Sequence, residues 1–420
     1  MKLTRSSDIV PETDVVVAGW VHERRDLGGI SFLLLRDRDG IMQVTMPRKK
    51  VSSELIERVR SISRESVVRV AGLVKEESKA PQGYEIIPYQ VEVLNAAESP
   101  LPLDVTGKVP ADLDTRLDAR FMDVRLPSTR AIFVIRATLL SEVRAFLAAR
   151  DFIEIQTPKM VATATEGGTQ LFPISYFDRE AFLNQSPQLY KQIMMAAGLE
   201  RVFEVGPIFR AEEHDTRKHL NEVTSIDVEA SFVDDHEVMG LLEELVEHVY
   251  VAVAERCSVS LQALNVDMLI PRIPFKRIAY AEAIEIADIP WGDDLDTAAE
   301  KAVGEQIGEH YFIIDWPVEL KPFYVQPHNN LCHAFDLMHP RMEIASGARR
   351  IHDFTLLSKQ LVDKSLAPES FKFYLDAFRF GMPPHAGWGL GAERLLVTML
   401  GLANIRESVL FPRDRRRITP

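Results

Sequence analysis

Apolar and polar residues alternate through the first hundred residues, in short runs separated by turn-forming residues. The segments "DVVVAGWVHERRD", "ISFLLLRDRDGIMQVTM", "VVRVAGLVKEE" and "YEIIPYQVEVL" are rich in β-forming residues, and "RDRDG" predicts a turn within the second. By contrast, "SSELIERVRSI" has apolar residues at helical spacing. About five strands with one intervening helix predict a small oligonucleotide-binding barrel over residues 1–100. A plain β-barrel that binds no ligand fits the same pattern equally well.

The pattern changes after the barrel. Residues 101–130 are rich in proline and aspartate without a sustained period, so we expect a linker there. From residue 131 to 420, helices and strands are predicted to alternate, with long helices through "AIFVIRATLLSEVRAFLAARD" and "HEVMGLLEELVEHVYVAVAERC". Near the end, "GWGLGAERLLVTMLGL" predicts a glycine-flanked turn followed by an amphipathic helix. The second part is therefore predicted to be an α+β domain.

Charge and cysteine content narrow the possible functions only slightly. The net charge is −13, but residues 1–70 carry 13 lysines and arginines against 10 acidic residues, which predicts a mildly basic module joined to an acidic one. The two cysteines, Cys257 and Cys332, have no metal-ligand spacing, so a zinc site or a disulfide framework is not expected. The chain has no apolar run of membrane-spanning length and no signal-peptide pattern at its start. These features predict a cytoplasmic protein without a membrane partner.

One charged stretch stands between two apolar segments. "VFEVGPIF" and "VTSIDVEASFV" both have the pattern of buried strands, which makes residues 211–222 a loop between them. Most charged loops are only solvated. Arg210, however, lies at the end of the first strand, where a cation is costly unless it has an anionic partner. Arginine at such a position is suited to a bidentate contact with phosphate.

Three further segments contain candidate binding groups. Asp336 and Glu343 are acidic residues in strand-like segments before a predicted Ser-Gly-Ala turn, and two such carboxylates could hold Mg²⁺. They could equally be decoration on an exposed strand face. Arg394 falls in the first turn of the predicted last helix, after "GLG". Gln188 and Lys191 are three residues apart and share one helix face. Each of these signals is weak by itself.

Together the segments resemble the class II aminoacyl-tRNA synthetases, and closely the archaeal-type aspartyl members. "FIEIQTPKM" resembles the first motif of that family, with Pro158 at the position that marks a homodimer interface. "FRAEEHDTRKHLNEVTSID" resembles the second motif and "GLGAERLLVTMLGLANIRESVLFPRD" the third. "TEGGTQLF", "NQSPQLYKQ" and "EIASGARRIHD" are similar to segments of the aspartyl members. The family fold is an antiparallel sheet flanked by helices behind an N-terminal oligonucleotide-binding barrel.

The resemblance implies a reaction in which ATP activates L-aspartate for transfer to tRNA, with Arg210 and Arg394 as catalytic residues. The residues implied to bind aspartate are Glu166, Gln188, Lys191, Arg210, Asp227, Ser346 and Arg350. Those implied to bind ATP are Arg210, Glu212, Arg217, His219, Leu220, Glu222, Glu343, Gly391 and Arg394. Mg²⁺ would be bound by Glu343 and Ser346, with Asp336 nearby. The chain departs from the family at Val223, where an aromatic residue often stacks on adenine.

In the barrel, Phe32, Gln43 and Glu85 match family residues that contact the anticodon. Members that charge both tRNA(Asp) and tRNA(Asn) resemble this chain in having histidine and proline at the positions of His22 and Pro81. The resemblance therefore predicts a relaxed enzyme, although both residues could merely shape a loop. The alternatives are an enzyme strict for tRNA(Asp), an asparaginyl-tRNA synthetase, and an inactive synthetase fold that binds nucleic acid. The intact arginines of the motifs argue against the last.

Overall fold

The protein is described by a computed structural model over residues 2–162, 171–212 and 216–420. The chain forms two compact units, Met1–Leu126 and Pro127–Pro420. The boundary falls inside the predicted linker, and the long helix that was predicted to begin at residue 131 begins at Pro127.

The first unit contains a closed barrel. Its elements are β1 (Asp14–Asp26), β2 (Ile30–Arg36), β3 (Ile41–Pro47), α1 (Ser53–Arg60), β4 (Val67–Glu76) and β5 (Tyr84–Asn95). The strands pair in the order β1-β2-β3-β5-β4 and close through an antiparallel β1–β4 pair, while β3 and β5 run parallel. The predicted five strands and one helix are confirmed. Alternate side chains such as Val17, Leu33 and Val70 are fully buried in the barrel interior, as the period of two requires.

The predicted linker has structure of its own. Short helices α2 (Leu113–Asp118) and α3 (Arg120–Asp123) lie within it, and Asp112 caps the first by accepting a hydrogen bond from the Thr115 N–H. Asp123 is fully buried and paired with Arg116 and Arg120. The absence of a sustained hydrophobic period in this segment reflects helices that are too short to repeat one.

The second unit is built on one mixed sheet with helices on both faces. Its elements are α4 (Pro127–Ala148), β6 (Ile153–Glu154), β7 (Met160–Val161), β8 (Pro173–Tyr176), β9 (Arg179–Leu183), α5 (Gln188–Ala196), β10 (Arg201–Phe209), β11 (Glu222–Ser231), α6 (Asp235–Arg256), α7 (Ser258–Leu264), β12 (Lys276–Ala279), α8 (Tyr280–Ala287), α9 (Thr297–Ile307), β13 (Tyr311–Pro317), β14 (Pro327–His328), β15 (Leu331–His339), β16 (Met342–Arg349), α10 (Phe354–Asp363), α11 (Lys372–Arg379), β17 (His385–Gly391) and α12 (Ala392–Leu400).

The strands of this sheet follow the order β12-β13-β15-β16-β17-β11-β10-β6, and β14 pairs with β15. All pairs from β13 to β10 are antiparallel, and only the two edge pairs, β12–β13 and β10–β6, are parallel. The α+β class with a central antiparallel sheet is therefore confirmed. No helix in the described parts of the chain is long and apolar enough to cross a bilayer.

Two predicted turns are strand segments instead. The "GWGLG" segment forms β17, and Ser346, Gly347 and Ala348 lie inside β16. The glycines are needed for close approach rather than for turning. A Cβ on Gly387 would lie 2.2 Å from the Val228 carbonyl oxygen, and one on Gly347 would lie 2.3 Å from the Phe335 ring. Sequence alone cannot separate these two uses of glycine.

Candidate functional site

A cavity of about 380 Å³ opens on one face of the second unit's sheet. It is bordered by β11, β15, β16 and β17, by the start of α12 and by the segment between β10 and β11. Among the predicted site residues, those that line it are Gln188, Arg210, Glu212, His219, Leu220, Asp227, Glu343, Ser346, Arg350, Gly391 and Arg394. The fold thus brings together side chains that are up to about two hundred positions apart in sequence.

The alternation of β11 explains how this strand serves both the core and the site. Ile226, Val228 and Ala230 are buried in the apolar core against the helices. The residues between them, Asp227 and Glu229, point to the opposite face, as successive strand side chains do. The sequence "SIDVEA" therefore places two carboxylates on the cavity side of the sheet.

The carboxylates of β11 belong to a closed inner cluster, defined here as Lys191, Asp227, Glu229 and Arg350. The Lys191 Nζ donates to Asp227 Oδ1 at 2.9 Å and to the backbone carbonyls of Trp388 at 3.1 Å and Val228 at 3.3 Å. The Arg350 Nε and Nη2 donate to the two Glu229 oxygens at 3.1 and 3.4 Å. All four side chains are nearly or fully buried, so each cation has its counter-ion within the protein.

Glu229 determines the ionisation of the inner cluster. Burial by itself favours the neutral acid, but the Arg350 and Lys191 cations outweigh it and hold the pKa of Glu229 below its ordinary value. Arg350 lines the cavity, and its Nη1 has no hydrogen-bond partner among the described residues. The arginine is therefore fixed on one side by Glu229 and presents donors to the cavity on the other.

A second group, the outer cluster, consists of Arg210, Glu212, His219, Glu343 and Arg394. Its side chains are more exposed than those of the inner cluster. Arg394 Nη1 lies 3.3 Å from Glu343 Oε1, and His219 Nε2 lies 3.6 Å from Glu212 Oε2. Desolvation lowers the pKa of His219 despite the opposing effect of Glu212, so its imidazole is neutral near pH 7.

The backbone around Arg210 is held by Asn221. The Arg210 N–H donates to the Asn221 carbonyl at 2.9 Å, and the Asn221 Nδ2 donates to the Arg210 carbonyl at 2.7 Å. These bonds extend the β10–β11 ladder by one step and fix where the loop begins. The predicted strand-loop-strand is present: β10 ends at Phe209, and β11 begins at Glu222, the last residue of the predicted loop.

Of the residues predicted at the magnesium site, Glu343 and Ser346 both lie on β16, and Asp336 lies on the neighbouring strand β15. Ser346 of β16 faces Asp336 of β15, and Asp336 Oδ1 is buried without a hydrogen-bond partner among the described residues. Desolvation raises the pKa of Glu343 to about 6, so a nearby cation would stabilise its ionised form. No described group of three or more His, Cys, Asp or Glu side chains could hold a metal ion alone. The residues fit Mg²⁺ if phosphate oxygens supply further ligands.

Some predicted site residues do not line the cavity. Lys191 lies behind its wall, where its ammonium donates only to protein groups. Arg217 and Glu222 are exposed on the loop and at the start of β11, outside the lining. Glu166 lies outside the described residues. Val223 does line the cavity and offers a small apolar contact there.

The sequence interpretation missed several charged residues of the site, among them Glu229 and Lys321. Glu229 was recognisable, because it lies two positions after Asp227 on a strand and so must share its face. Lys321 follows β13 and gave no signal, yet its Nζ donates to Asp336 Oδ2 at 2.6 Å and lies 3.7 Å from the centre of the Trp316 ring.

In the barrel, the predicted anticodon residues share an outer surface. Gln43 of β3 is paired with Leu34 on β2 and with Glu85 on β5, while Phe32 is paired with Thr45 two positions further along β3. Phe32 is only partly buried, whereas its neighbours Ser31 and Leu33 are buried. The alternative of a core aromatic therefore does not describe Phe32, which lies on the outward face of the strand.

His22 occupies a bulge in β1, where the pairing with β2 shifts by one residue between Val21 and Glu23. Its Nδ1 lies 3.0 Å from Arg36 Nη1, and Arg36 is held in turn by both oxygens of the buried Glu65. Burial, followed by the Arg36 charge, lowers the pKa of His22. Pro81 is exposed in the turn that precedes β5.

Comparison with known proteins agrees with this arrangement. Residues 112–415 match the family described as tRNA synthetases class II (D, K and N), and residues 15–94 match the OB-fold nucleic acid binding domain. The chain belongs to the class II tRNA synthetases. The resemblance inferred from the motifs is thus confirmed, and the barrel that precedes the catalytic sheet is an oligonucleotide-binding fold.

Individual relatives cover the chain from end to end. It is 61% identical over 422 residues to the aspartate–tRNA(Asp/Asn) ligase of Methanoculleus marisnigri, with 98% of each chain covered. It is 59% identical over 426 residues to the ligase of the same name from Archaeoglobus fulgidus, with 99% of each covered. Among solved structures, asparaginyl-tRNA synthetase of Pyrococcus horikoshii with asparaginyl-adenylate gives a TM-score of 0.95 at 33% identity, with both chains fully covered.

Proposed function

We propose that this chain is an aspartate–tRNA ligase that uses ATP and Mg²⁺ to charge both tRNA(Asp) and tRNA(Asn). The observation that carries the proposal is the Arg350 guanidinium, which Glu229 fixes while its Nη1 remains available to the cavity. Such a group can bind the side-chain carboxylate of aspartate through two parallel hydrogen bonds, one from Nη1 and one from the second N–H of Nη2. Relatives with 55–61% identity bear the name of this activity.

In the first step, an α-carboxylate oxygen of aspartate attacks the α-phosphorus of ATP, and pyrophosphate leaves. A terminal hydroxyl of the tRNA then attacks the carbonyl carbon of the adenylate, AMP leaves, and the hydroxyl proton is released. Neither step needs a protein nucleophile. Arg210 and Arg394 would neutralise charge that develops on the phosphates, while neutral His219 would donate a hydrogen bond. Mg²⁺ would be held by Glu343 and Ser346 and would supply further neutralisation when bound.

Selection of aspartate over asparagine would rest on Arg350 rather than on the number of cations around the site. Lys191 and Arg350 are balanced by Asp227 and Glu229, so the inner cluster carries no net charge. At this point the cavity presents Arg350 Nη1, a donor that has no acceptor among the described residues. The aspartate carboxylate accepts hydrogen bonds with both oxygens, whereas the asparagine amide would turn an N–H toward Arg350 or lose one bond.

The barrel supports the relaxed choice of tRNA. Arg36 can only donate, so its contact makes His22 Nδ1 an acceptor and leaves the proton of the neutral ring on Nε2. His22 then offers a single N–H. Cytosine and uracil both have an acceptor oxygen at O2. A single donor directed at this oxygen would bind either base at the third anticodon position. Pro81 offers no backbone N–H that could add a discriminating contact.

A homodimer through the segment around Pro158 and a cytoplasmic location belong to the same proposal. Pro158 follows Thr157, which Glu204 holds through both its backbone N–H and its hydroxyl. Both cysteines are free thiols, which agrees with a reducing compartment. Sedimentation at micromolar concentration would test the dimer, because an active monomer would contradict it.

ATP–pyrophosphate exchange with aspartate and with asparagine tests the amino acid. We expect exchange with aspartate; exchange with asparagine alone would identify an asparaginyl enzyme, and exchange with neither would indicate an inactive fold. Aspartylation of two transcripts that differ only at the third anticodon base tests the tRNA choice. A preference above about a hundredfold, equal to about 2.7 kcal/mol, would contradict the relaxed assignment.

A further inference from the structure

Behind the cavity wall, a chain of hydrogen bonds connects the backbone at Pro383 to Gln188. The His385 Nδ1 lies 2.8 Å from the Pro383 carbonyl oxygen, and its Nε2 lies 2.9 Å from Gln192 Nε2. Gln192 Oε1 accepts from the Gln188 Nε2 at 2.9 Å and from the Tyr374 hydroxyl at 3.0 Å. Gln188 lines the cavity, whereas Gln192 and His385 are fully buried and do not.

The chemistry of the end groups fixes every donor and acceptor in this chain. A carbonyl oxygen can only accept, so His385 carries a proton on Nδ1, and burial keeps the ring neutral by lowering its pKa to about 4. His385 Nε2 must then accept, which requires Gln192 to direct its amide nitrogen there and its oxygen toward Gln188. That oxygen requires Gln188 to direct its own nitrogen inward.

The orientation of the Gln188 amide is therefore set by the buried groups behind the cavity wall. With its nitrogen committed to Gln192, Gln188 presents Oε1, which has no hydrogen-bond partner among the described residues, toward the cavity. We propose that Gln192 and His385 are positioning residues that hold the Gln188 carbonyl oxygen as an acceptor for the α-ammonium group of the amino acid substrate. This inference rests on the proposed amino acid activation, and names groups that act through Gln188 without touching the substrate.

The orientation matters because a glutamine amide is nearly symmetric in shape and opposite in polarity. A flipped Gln188 would direct an N–H at an ammonium group, turning attraction into repulsion. Asp227 already accepts from Lys191 at 2.9 Å and from the Ser225 hydroxyl at 2.5 Å, so a flipped Gln188 would leave the ammonium group with a shared acceptor only. This chain of hydrogen bonds from Pro383 to Gln188, called the relay below, therefore affects the affinity for the amino acid selectively. ATP has no group that depends on it.

The test compares four variants by steady-state pyrophosphate exchange. Gln192→Met keeps the shape and removes the acceptor, so we expect the KM for aspartate to rise about tenfold to a hundredfold with an unchanged KM for ATP. His385→Phe should give a smaller rise, and His385→Gln, which can place an acceptor at the Nε2 position, should restore most of the affinity. Tyr374→Phe is the matched control, because it removes one donor to Gln192 Oε1 and leaves Gln188 held; its KM for aspartate should stay within about twofold.

Succinate separates positioning from general damage, since it has both carboxylates of aspartate and no ammonium group. Its inhibition constant should not change in Gln192→Met. The proposal is overturned if that variant leaves the KM for aspartate within twofold, if the constants for aspartate, ATP and succinate all rise together, or if His385→Gln is no better than His385→Phe. Should the wild-type protein activate another amino acid, the proposed substrate fails; the relay is then tested with that amino acid, because every such substrate carries the α-ammonium group.

Discussion

The inner and outer clusters lie beside the same cavity, and they differ in how their charges are buried and paired. In the inner cluster, Lys191, Glu229 and Arg350 are almost fully buried and bonded to each other. In the outer cluster, the Glu343 and Arg394 side chains are about one-third exposed, and Arg394 Nη1 lies 3.3 Å from the Glu343 carboxylate. The inner cluster is complete before a ligand binds, whereas the outer cluster consists of charges whose best partners would be phosphates and a cation. Preorganisation is therefore suited to selecting the amino acid, and a looser arrangement to a nucleotide that is cleaved and released.

The largest effect is expected from removing the Glu229 carboxylate, an anion of the inner cluster. Glu229→Gln leaves Lys191 and Arg350 buried without their shared counter-ion, and removal of one partner from a buried pair costs about 3–5 kcal/mol. We expect a loss of that order in the free energy of unfolding, measured by urea titration, together with loss of aspartate exchange. The matched control, Glu212→Gln in the outer cluster, should change stability by less than about 0.5 kcal/mol. Equal effects of the two variants would show that the clusters do not differ.

Arg210→Ala should separate catalysis from stability in the outer cluster. Loss of one charge contact to the transition state costs about 3 kcal/mol, or about a hundredfold or more in the rate of adenylate formation. The urea midpoint should stay near that of the wild type, because the backbone bonds between Arg210 and Asn221 do not involve the replaced side chain. Near-normal pyrophosphate exchange by the folded variant would show that Arg210 takes no part in adenylate formation.

Arg350 contributes both to the stability of the inner cluster and to the proposed binding of aspartate. A double variant can separate these two contributions. Arg350→Leu should raise the KM for aspartate about thirtyfold or more, leave the KM for ATP nearly unchanged and destabilise the fold, because Glu229 loses its bidentate partner. Adding Glu229→Gln should recover part of the stability and none of the aspartate affinity. If ATP affinity fell as much as aspartate affinity, Arg350 would belong to the nucleotide site.

The last effect concerns the pH dependence of stability, where the change expected over any single pH unit is small. Burial lowers the pKa of His385 to about 4, so below pH 6.5 the unfolded chain binds a proton that the folded protein excludes. The contribution of His385 is fully present above pH 6.5 and decreases by about 1.4 kcal/mol per pH unit as the pH falls toward 4. His385→Gln should reduce the slope of unfolding free energy against pH by that amount. An unchanged slope between pH 4.5 and 6 would contradict the buried neutral histidine.

The sequence predicted those features that depend on neighbouring residues. The barrel strands, the strand-loop-strand around Arg210 and the helix that carries Gln188 follow from local periodicity, and each is present. The surroundings of Lys191 could not be predicted, because two of its acceptors, Asp227 and the Trp388 carbonyl, lie 36 and 197 positions away in sequence. A residue type indicates which bonds it can form, and only the fold determines whether those bonds are already made within the protein.

The glycines of β17 illustrate the same limit. Gly387 was assigned to a turn because glycine is common in turns, yet a Cβ there would lie 2.3 Å from Glu229 Oε2. Its role depends on a side chain from another strand. The missing side chain at Gly387 leaves room for the Glu229 carboxylate that binds Arg350, and no pattern within "GWGLG" contains that information.

The two flanks of the Arg210 loop are tied to the C-terminal segment of the chain. The Ile405 N–H donates to the Arg217 carbonyl at 3.0 Å, and the Asn221 N–H donates to the Arg413 carbonyl at 2.8 Å. A growing polypeptide folds from its N-terminus onward, so the strands on either side of this loop emerge from the ribosome long before residues 405–413 do. Until those residues arrive, the loop lacks both of these supports. The nascent chain therefore completes this loop only after residues 405–413 have been synthesised and have reached it.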